Sequence, residues 1–325
     1  MKTMNIFVTR AIPEEGLHLL KKHHTVSVYP KNHAPSKQDI IKGIQAKDGL
    51  LCLLTDPIDK EVIESEPKLK MIANYAVGYN NIDVKAATQH KIPVSNTPDV
   101  LTDTTAEMAW ALLFSVARCI CQGDRFTRSG QFKGWEPLLM LGQDITKKTL
   151  GVIGSGRIGT AFALKSKGFN MSVLYTDENK NEVLEREVFA KQVSLPELLK
   201  NSDYISVHVP LTKQTHHLIG EKELQMMKKT AILINTSRGP IVNEQALIKA
   251  LQQQWIFGAG LDVYEYEPQI PNELLQLDNV VLQPHSASAT IETRTKMAVL
   301  TAQNMLDGLA GKRPQHCINP EVFDK

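Results

Sequence analysis

At 325 residues the chain is long enough for two domains of ordinary size, and its 42% hydrophobic and 22% charged residues are the balance of a soluble globular protein. Its net charge of +2, from 37 basic against 35 acidic residues, leaves no electrostatic footprint for nucleic acid or an anionic membrane. No apolar run approaches the roughly 20 residues that span a bilayer, and Met1 to Asn5 lead straight into a strand-like run, so the cytoplasm is the expected compartment.

Short apolar strands alternate with helical patterns from end to end, the rhythm of parallel sheets with crossover helices. Strands are expected at 5–10, 25–30, 49–55, 70–77 and 92–95, punctuated by Pro57, Pro67, Gly78, Pro93 and Pro98. A long helix follows, with Asp103, Thr104 and Thr105 near its start and the apolar run Met108 to Ile120 as its body. The segment Ser129 to Asp144 reads as irregular and carries Trp135. A second strand and helix series then begins, with strands near 149–154, 171–176, 204–209, 231–235, 257–263 and 279–283. The last helix runs from about Thr290 to about Leu309. Of the four cysteines, Cys52 lies in an apolar strand, and Cys119 and Cys121 have a spacing unlike metal or redox pairs. No metal is expected.

The strongest local motif is the apolar strand that enters Gly154-Ser-Gly156-Arg-Ile-Gly159 and continues as a helix. Gly154 allows the tight turn, Gly156 lets backbone approach a pyrophosphate, and Gly159 lets helix and strand pack closely. The helix N-terminus offers free N–H groups and partial positive charge to phosphates, and Arg157 adds a charge-assisted contact. The next strand ends at Asp177, 18 positions after Gly159, a spacing that suits a carboxylate on the adenosine ribose hydroxyls. Glu178 follows and no arginine stands beside it, so a 2′-phosphate would meet two negative charges. NAD is expected, with NADP disfavoured.

Three later strands each lead to a polar residue, and parallel sheets bind ligands at their carboxyl ends. Arg238 follows Ala231 to Asn235, and a guanidinium grips a carboxylate in fork geometry. His285 follows Val280 to Leu282, and ketone reduction needs a proton donor near neutral pH. A carboxylate against that imidazole would fix its tautomer and favour its charged form. Glu265 and Glu267 are both candidates, and spacing leaves the choice open.

Together these residues resemble the D-isomer-specific 2-hydroxyacid dehydrogenases, and within them the glyoxylate/hydroxypyruvate (2-ketogluconate) reductase branch. The resemblance runs from about Asn5 to Pro320 and is carried by Leu50 to Asp56, Asn74 to Asp83, Asn96 to Glu107, Gly151 to Gly159, Asn235 to Gly239 and Pro284 to Thr290. It implies a catalytic trio of Arg238, Glu267 and His285; Glu267 is preferred because the family's acid directly precedes a proline. It further implies that backbone N–H groups at Val77 and Gly78 clasp the substrate carboxylate, and that Asp262 contacts the nicotinamide carboxamide. Pro210 and Thr236 are expected to line the cofactor cleft, Arg157 and Ile158 to lie in the glycine turn against the cofactor, and Thr105 to lie near its phosphates. In the similar branch a tryptophan after the long helix reaches toward the partner's active site, which makes Trp135 a candidate substrate contact or simply an interface anchor. Ser155, Ser286 and Ala287 depart from the residues usual at their positions.

The resemblance implies an α/β architecture: a doubly wound parallel-sheet Rossmann domain, 99–286, inserted into a smaller flavodoxin-like α/β substrate domain, 1–98 and 287–325. Its two chain crossings would act as a hinge, and a homodimer is expected. The implied reaction moves a hydride between NAD(H) and C2 of a small 2-oxo or 2-hydroxy acid of the D series. A non-catalytic NAD-binding corepressor-like scaffold and phosphoglycerate dehydrogenase are the alternatives.

Overall fold

The computed structural model describes residues 2–324. Backbone contacts divide the chain into two units, one running to Leu101 and resuming at Ala289, the other being Thr102–Ser288. These crossings lie two or three residues beyond the sequence-based boundaries.

The first unit holds five parallel strands: β1 (Asn5–Val8), β2 (Thr25–Val28), β3 (Gly49–Cys52), β4 (Met71–Asn74) and β5 (Val94–Ser95). Their order, β2-β1-β3-β4-β5, is that of flavodoxin-like sheets. Side chains alternate across the sheet. Phe7, Leu50, Cys52, Ile72 and Val94 enter one buried cluster, and Ile6, Val8, Leu51, Met71 and Ala73 are buried on the opposite face. The helices Glu14–Lys21 and Ile291–Leu309 pack on each other, and the second also covers β3 and β4. Thr290 caps that second helix, its hydroxyl accepting the Thr293 amide at 3.2 Å.

The second unit holds seven parallel strands: β6 (Thr149–Ile153), β7 (Ser172–Thr176), β8 (Lys191–Gln192), β9 (Tyr204–Val207), β10 (Ile232–Asn235), β11 (Gly258–Leu261) and β12 (Val280–Leu282). The order β12-β11-β10-β9-β6-β7-β8 reverses beside β6, as in doubly wound dinucleotide-binding sheets. Both faces are buried. Leu233, Ile205 and Val207 point into one cluster, and Ile232, Ile234, Val152 and Tyr175 into the other.

Two details differ from the sequence reading. The strand β8 escapes it because Lys191 and Gln192 are polar and exposed, so no apolar alternation marks them. The long helix stops at Ala117 and resumes at Ile120. Cys119 adopts a left-handed φ of 52°, and the Ala117 carbonyl accepts the Gln143 amide at 2.7 Å. Among the described residues no single helix is long and apolar enough to cross a membrane.

Candidate active site

The glycine turn joins β6 to the helix Arg157–Lys165. Gly154 has φ +91°, a backbone conformation side chains disfavour, and a Cβ on Gly159 would collide with the Gly154 carbonyl. Nothing lies within 4 Å of where a Gly156 Cβ would sit, so a phosphate has room to come up to the helix start. Arg157 is exposed and Ile158 half-buried at that start. The Thr236 hydroxyl, just beyond β10, is buried without a hydrogen-bond partner, a group that a bound ligand would satisfy. The site therefore suits a dinucleotide.

Asp177 closes β7 beside this turn. Its Oδ2 accepts the Ser155 amide at 2.7 Å and the Ser155 hydroxyl at 3.1 Å, while Oδ1 accepts the Asn179 amide at 3.3 Å. Burial pushes the Asp177 carboxyl up, but the Ser155 and Asn179 amides outweigh it and hold the group below the usual carboxylate range. Asn181 ties the turn from the other side, donating to the Ser155 carbonyl at 2.8 Å and to the Thr160 hydroxyl at 2.8 Å. The sequence marks Ser155 only as a departure from the usual residue and gives Asn181 no role; a polar residue inside the glycine turn is the visible sign of such a network.

Glu267 and His285 are brought together. His285 Nδ1 stands 2.8 Å from Glu267 Oε2, and Glu267 Oε1 accepts the Tyr264 amide at 3.0 Å. Burial pushes the Glu267 carboxyl up; the His285 hydrogen bond and charge, the Tyr264 amide and Arg238 pull it further down, so it lies below its ordinary value. Arg238 is half-buried in turn, and desolvation lowers its pKa while the Glu267 charge opposes that. Its turn is shaped by Asn235, which donates to the Arg238 carbonyl at 3.0 Å and accepts the Ser237 amide at 3.0 Å.

Asp262 closes β11, fully buried. Its two oxygens accept the amides of Ser286 at 2.7 Å and Ala287 at 2.9 Å. His285, immediately before them, has φ +54°. The carboxylate thus pins the loop while His285 holds a strained conformation, a combination typical of functional loops. Burial outweighs these amides and raises the Asp262 carboxyl.

Three further cofactor or partner candidates lie in the same unit. Thr105 is buried near the start of the helix Thr102–Ala117, and Pro210 is exposed beyond β9 with its carbonyl accepting the Thr215 hydroxyl at 2.6 Å. Trp135 is 85% exposed in the segment that follows the helix Ile120–Arg128.

Val77 and Gly78 belong to the first unit, just past β4. The Ala76 carbonyl accepts the Thr97 amide at 2.9 Å, and the Val77 carbonyl accepts the Asn96 side-chain amide at 2.7 Å. A trans peptide directs its N–H opposite to its carbonyl. The N–H groups of Val77 and Gly78 are therefore aimed away from Thr97 and Asn96.

A seven-stranded sheet of this order, with a glycine turn at its switch point and a paired acid and imidazole at its carboxyl ends, defines a dinucleotide-dependent dehydrogenase. The family model for the D-isomer specific 2-hydroxyacid dehydrogenase, NAD binding domain, matches residues 110–287. A glyoxylate reductase of Korarchaeum cryptofilum is 51% identical over 319 residues, 98% of this chain and 96% of that one. A Thermus thermophilus protein of known structure superposes with a TM-score of 0.91 at 39% identity, over 97% of this chain and 100% of that one. An NADPH-dependent glyoxylate/hydroxypyruvate reductase from Sinorhizobium meliloti, solved with NADP and malonate, gives 0.89 at 29% identity, over 100% and 99%. The chain belongs to the D-isomer specific 2-hydroxyacid dehydrogenase family and takes a nicotinamide cofactor.

Proposed function

We propose that this protein reduces glyoxylate, and small relatives such as hydroxypyruvate, to the D-2-hydroxy acid with NADH. The reading rests on the 2.8 Å contact between His285 and Glu267, in a chain whose relative is a glyoxylate reductase.

When bound, the nicotinamide supplies the hydride. The start of the helix at Gly156, Arg157 and Ile158 would hold the pyrophosphate, with Thr105 near the phosphates. Asp177 would take the ribose through Oδ1, which carries the longer of its bonds. Thr236, Pro210 and Asp262 would line the nicotinamide side. Arg238 grips the carboxylate of the 2-oxo acid in a two-point fork and draws charge toward the neighbouring carbonyl oxygen. On the first unit, the amides of Val77 and Gly78 would be carboxylate donors in their own right, as the family resemblance implies. Because His285 Nδ1 is engaged by Glu267, Nε2 is the nitrogen left to deliver a proton to the forming alkoxide at C2. Glu267 stays ionised through this step and steadies the ring.

In this reading the Thr102–Ser288 unit is the dinucleotide domain and the other unit the substrate domain. The protein would act as a homodimer, with Trp135, Leu138 and Leu141 among the exposed apolar side chains that a second copy would cover. Four free cysteines suit a reducing compartment such as the cytoplasm.

NADH oxidation with glyoxylate or hydroxypyruvate tests the activity directly. His285→Ala should lower kcat roughly 10²–10⁴-fold, and an unchanged kcat would remove His285 from the chemistry. For the cofactor, kcat/KM should favour NADH over NADPH, and Asp177→Ser should narrow that gap. A wild-type preference for NADPH would overturn the assignment.

A further inference from the structure

The irregular loop after β11 carries two glutamates two positions apart, and each meets its own histidine. Glu267 holds His285; Glu265 Oε1 lies 2.8 Å from His217 Nε2. We infer that Glu265, held by His217 and Glu244, is a positioning residue that sets the place of the catalytic carboxylate Glu267.

The clamp is reciprocal. Glu265 Oε2 accepts the Glu244 amide at 3.0 Å, and Glu244 Oε2 accepts the Glu265 amide at 3.3 Å. Glu244 opens the helix Glu244–Gln252, whose cap Asn243 accepts the Ala246 amide through Oδ1 at 2.9 Å. With that oxygen committed, the Asn243 side-chain NH₂ is the group facing His217 Nδ1 at 3.3 Å. Nδ1 therefore accepts, and the ring proton sits on Nε2, aimed at Glu265. His217 is fixed as well through its own amide, which donates to the Pro240 carbonyl at 2.8 Å. Beyond Glu265 the tie reaches the catalytic pair by one short path. The Tyr264 amide bonds Glu267 Oε1, and the Tyr264 hydroxyl donates to the Gln283 carbonyl at 2.8 Å, two residues before His285.

The ligating atoms of His216, His217 and Glu265 lie within 4.8 Å of one another, a grouping that invites a metal ion. A cation on His217 Nε2 would force the ring proton onto Nδ1, against the Asn243 NH₂. The contacts fit a hydrogen-bonded clamp.

The inference rests on the catalytic reading of Glu267 and His285, and a double-mutant cycle separates the two. The kcat and KM for glyoxylate, the Kd for NADH and the Tm are measured for the wild type, Glu265→Gln, Glu267→Gln and the double variant. Misplacing a reacting group by about 1 Å can cost on the order of 100-fold, so the partial loosening in Glu265→Gln should lower kcat about 10-fold with the NADH Kd unchanged. In the Glu267→Gln background the same change should alter kcat less than about 2-fold, because nothing remains to be positioned. His217→Gln, at a side chain only 32% exposed, should reproduce both results and carries the cycle if Glu265→Gln does not fold. Losses that multiply in the double variant, or a Glu265→Gln enzyme with unaltered kcat, would overturn the positioning role alone. An unaltered kcat in Glu267→Gln would overturn the catalytic pair and this inference with it.

Discussion

Asp262 shows how a residue outside the acid–imidazole pair can control it. Both of its oxygens are taken by the amides that directly follow His285, so the carboxylate acts as a two-point anchor. Asp262→Asn turns one acceptor into a donor that faces an N–H. A buried amide left unmatched costs about 1–3 kcal/mol, so the variant should show a lower Tm in thermal melts and a lower kcat for glyoxylate, since the loop behind His285 is released. Arg238 and His285 stand out in the sequence as candidates because each follows an apolar strand and carries a side chain suited to the proposed task. The choice between Glu265 and Glu267 was not legible from spacing, since both end in the same carboxylate on an irregular loop. Folding gives each glutamate a different histidine. The anchoring by Asp262 was hidden for another reason: its partners are backbone amides, which every sequence offers everywhere.

At the scale of strands and helices, alternation and apolar runs disclose what is buried, and buried strands dominate both sheets. What they miss is local. β8 is a polar edge pair, and the helix break at Cys119 depends on a distant amide, Gln143, that no window around Cys119 contains. The end of β9 carries another contact of this kind. His208 meets Ser206 Oγ at 2.9 Å, and the Phe162 ring lies 5.1 Å away. Desolvation there pushes its imidazole down to about 3. Between that value and the ordinary histidine value of about 6.5, the unfolded chain binds a proton that the folded chain refuses. Stability therefore falls as pH drops through this window and recovers as it rises. His208→Gln removes the titrating group, so its Tm should decline less steeply than that of the wild type between pH 6.5 and 4. Parallel slopes in melts across that range would show that His208 does not titrate as described.

For the molecule as a whole, two sheets of different strand order are built from one chain, each with its own buried clusters. Exposed apolar side chains concentrate in the segment around Phe132, Trp135, Leu138 and Leu141. Patches of this sort on soluble proteins mark association surfaces. The purified protein should elute at twice the mass of one chain, and Leu138→Lys should shift it toward one; a wild-type monomer by light scattering would end the homodimer proposal.

The helix Ile291–Leu309 begins more than 200 positions beyond the strands β3 and β4 that it covers. The Tyr75 hydroxyl waits for the Arg294 carbonyl, the Asn96 carbonyl for the Asn304 side chain, and the Val94 amide for Asn319. On the ribosome, the first unit must therefore emerge with one face of its sheet covered only by the helix Glu14–Lys21 while the whole inserted unit is translated. The rest of that face stays open to water, or to a chaperone, until the helix Ile291–Leu309 has been made.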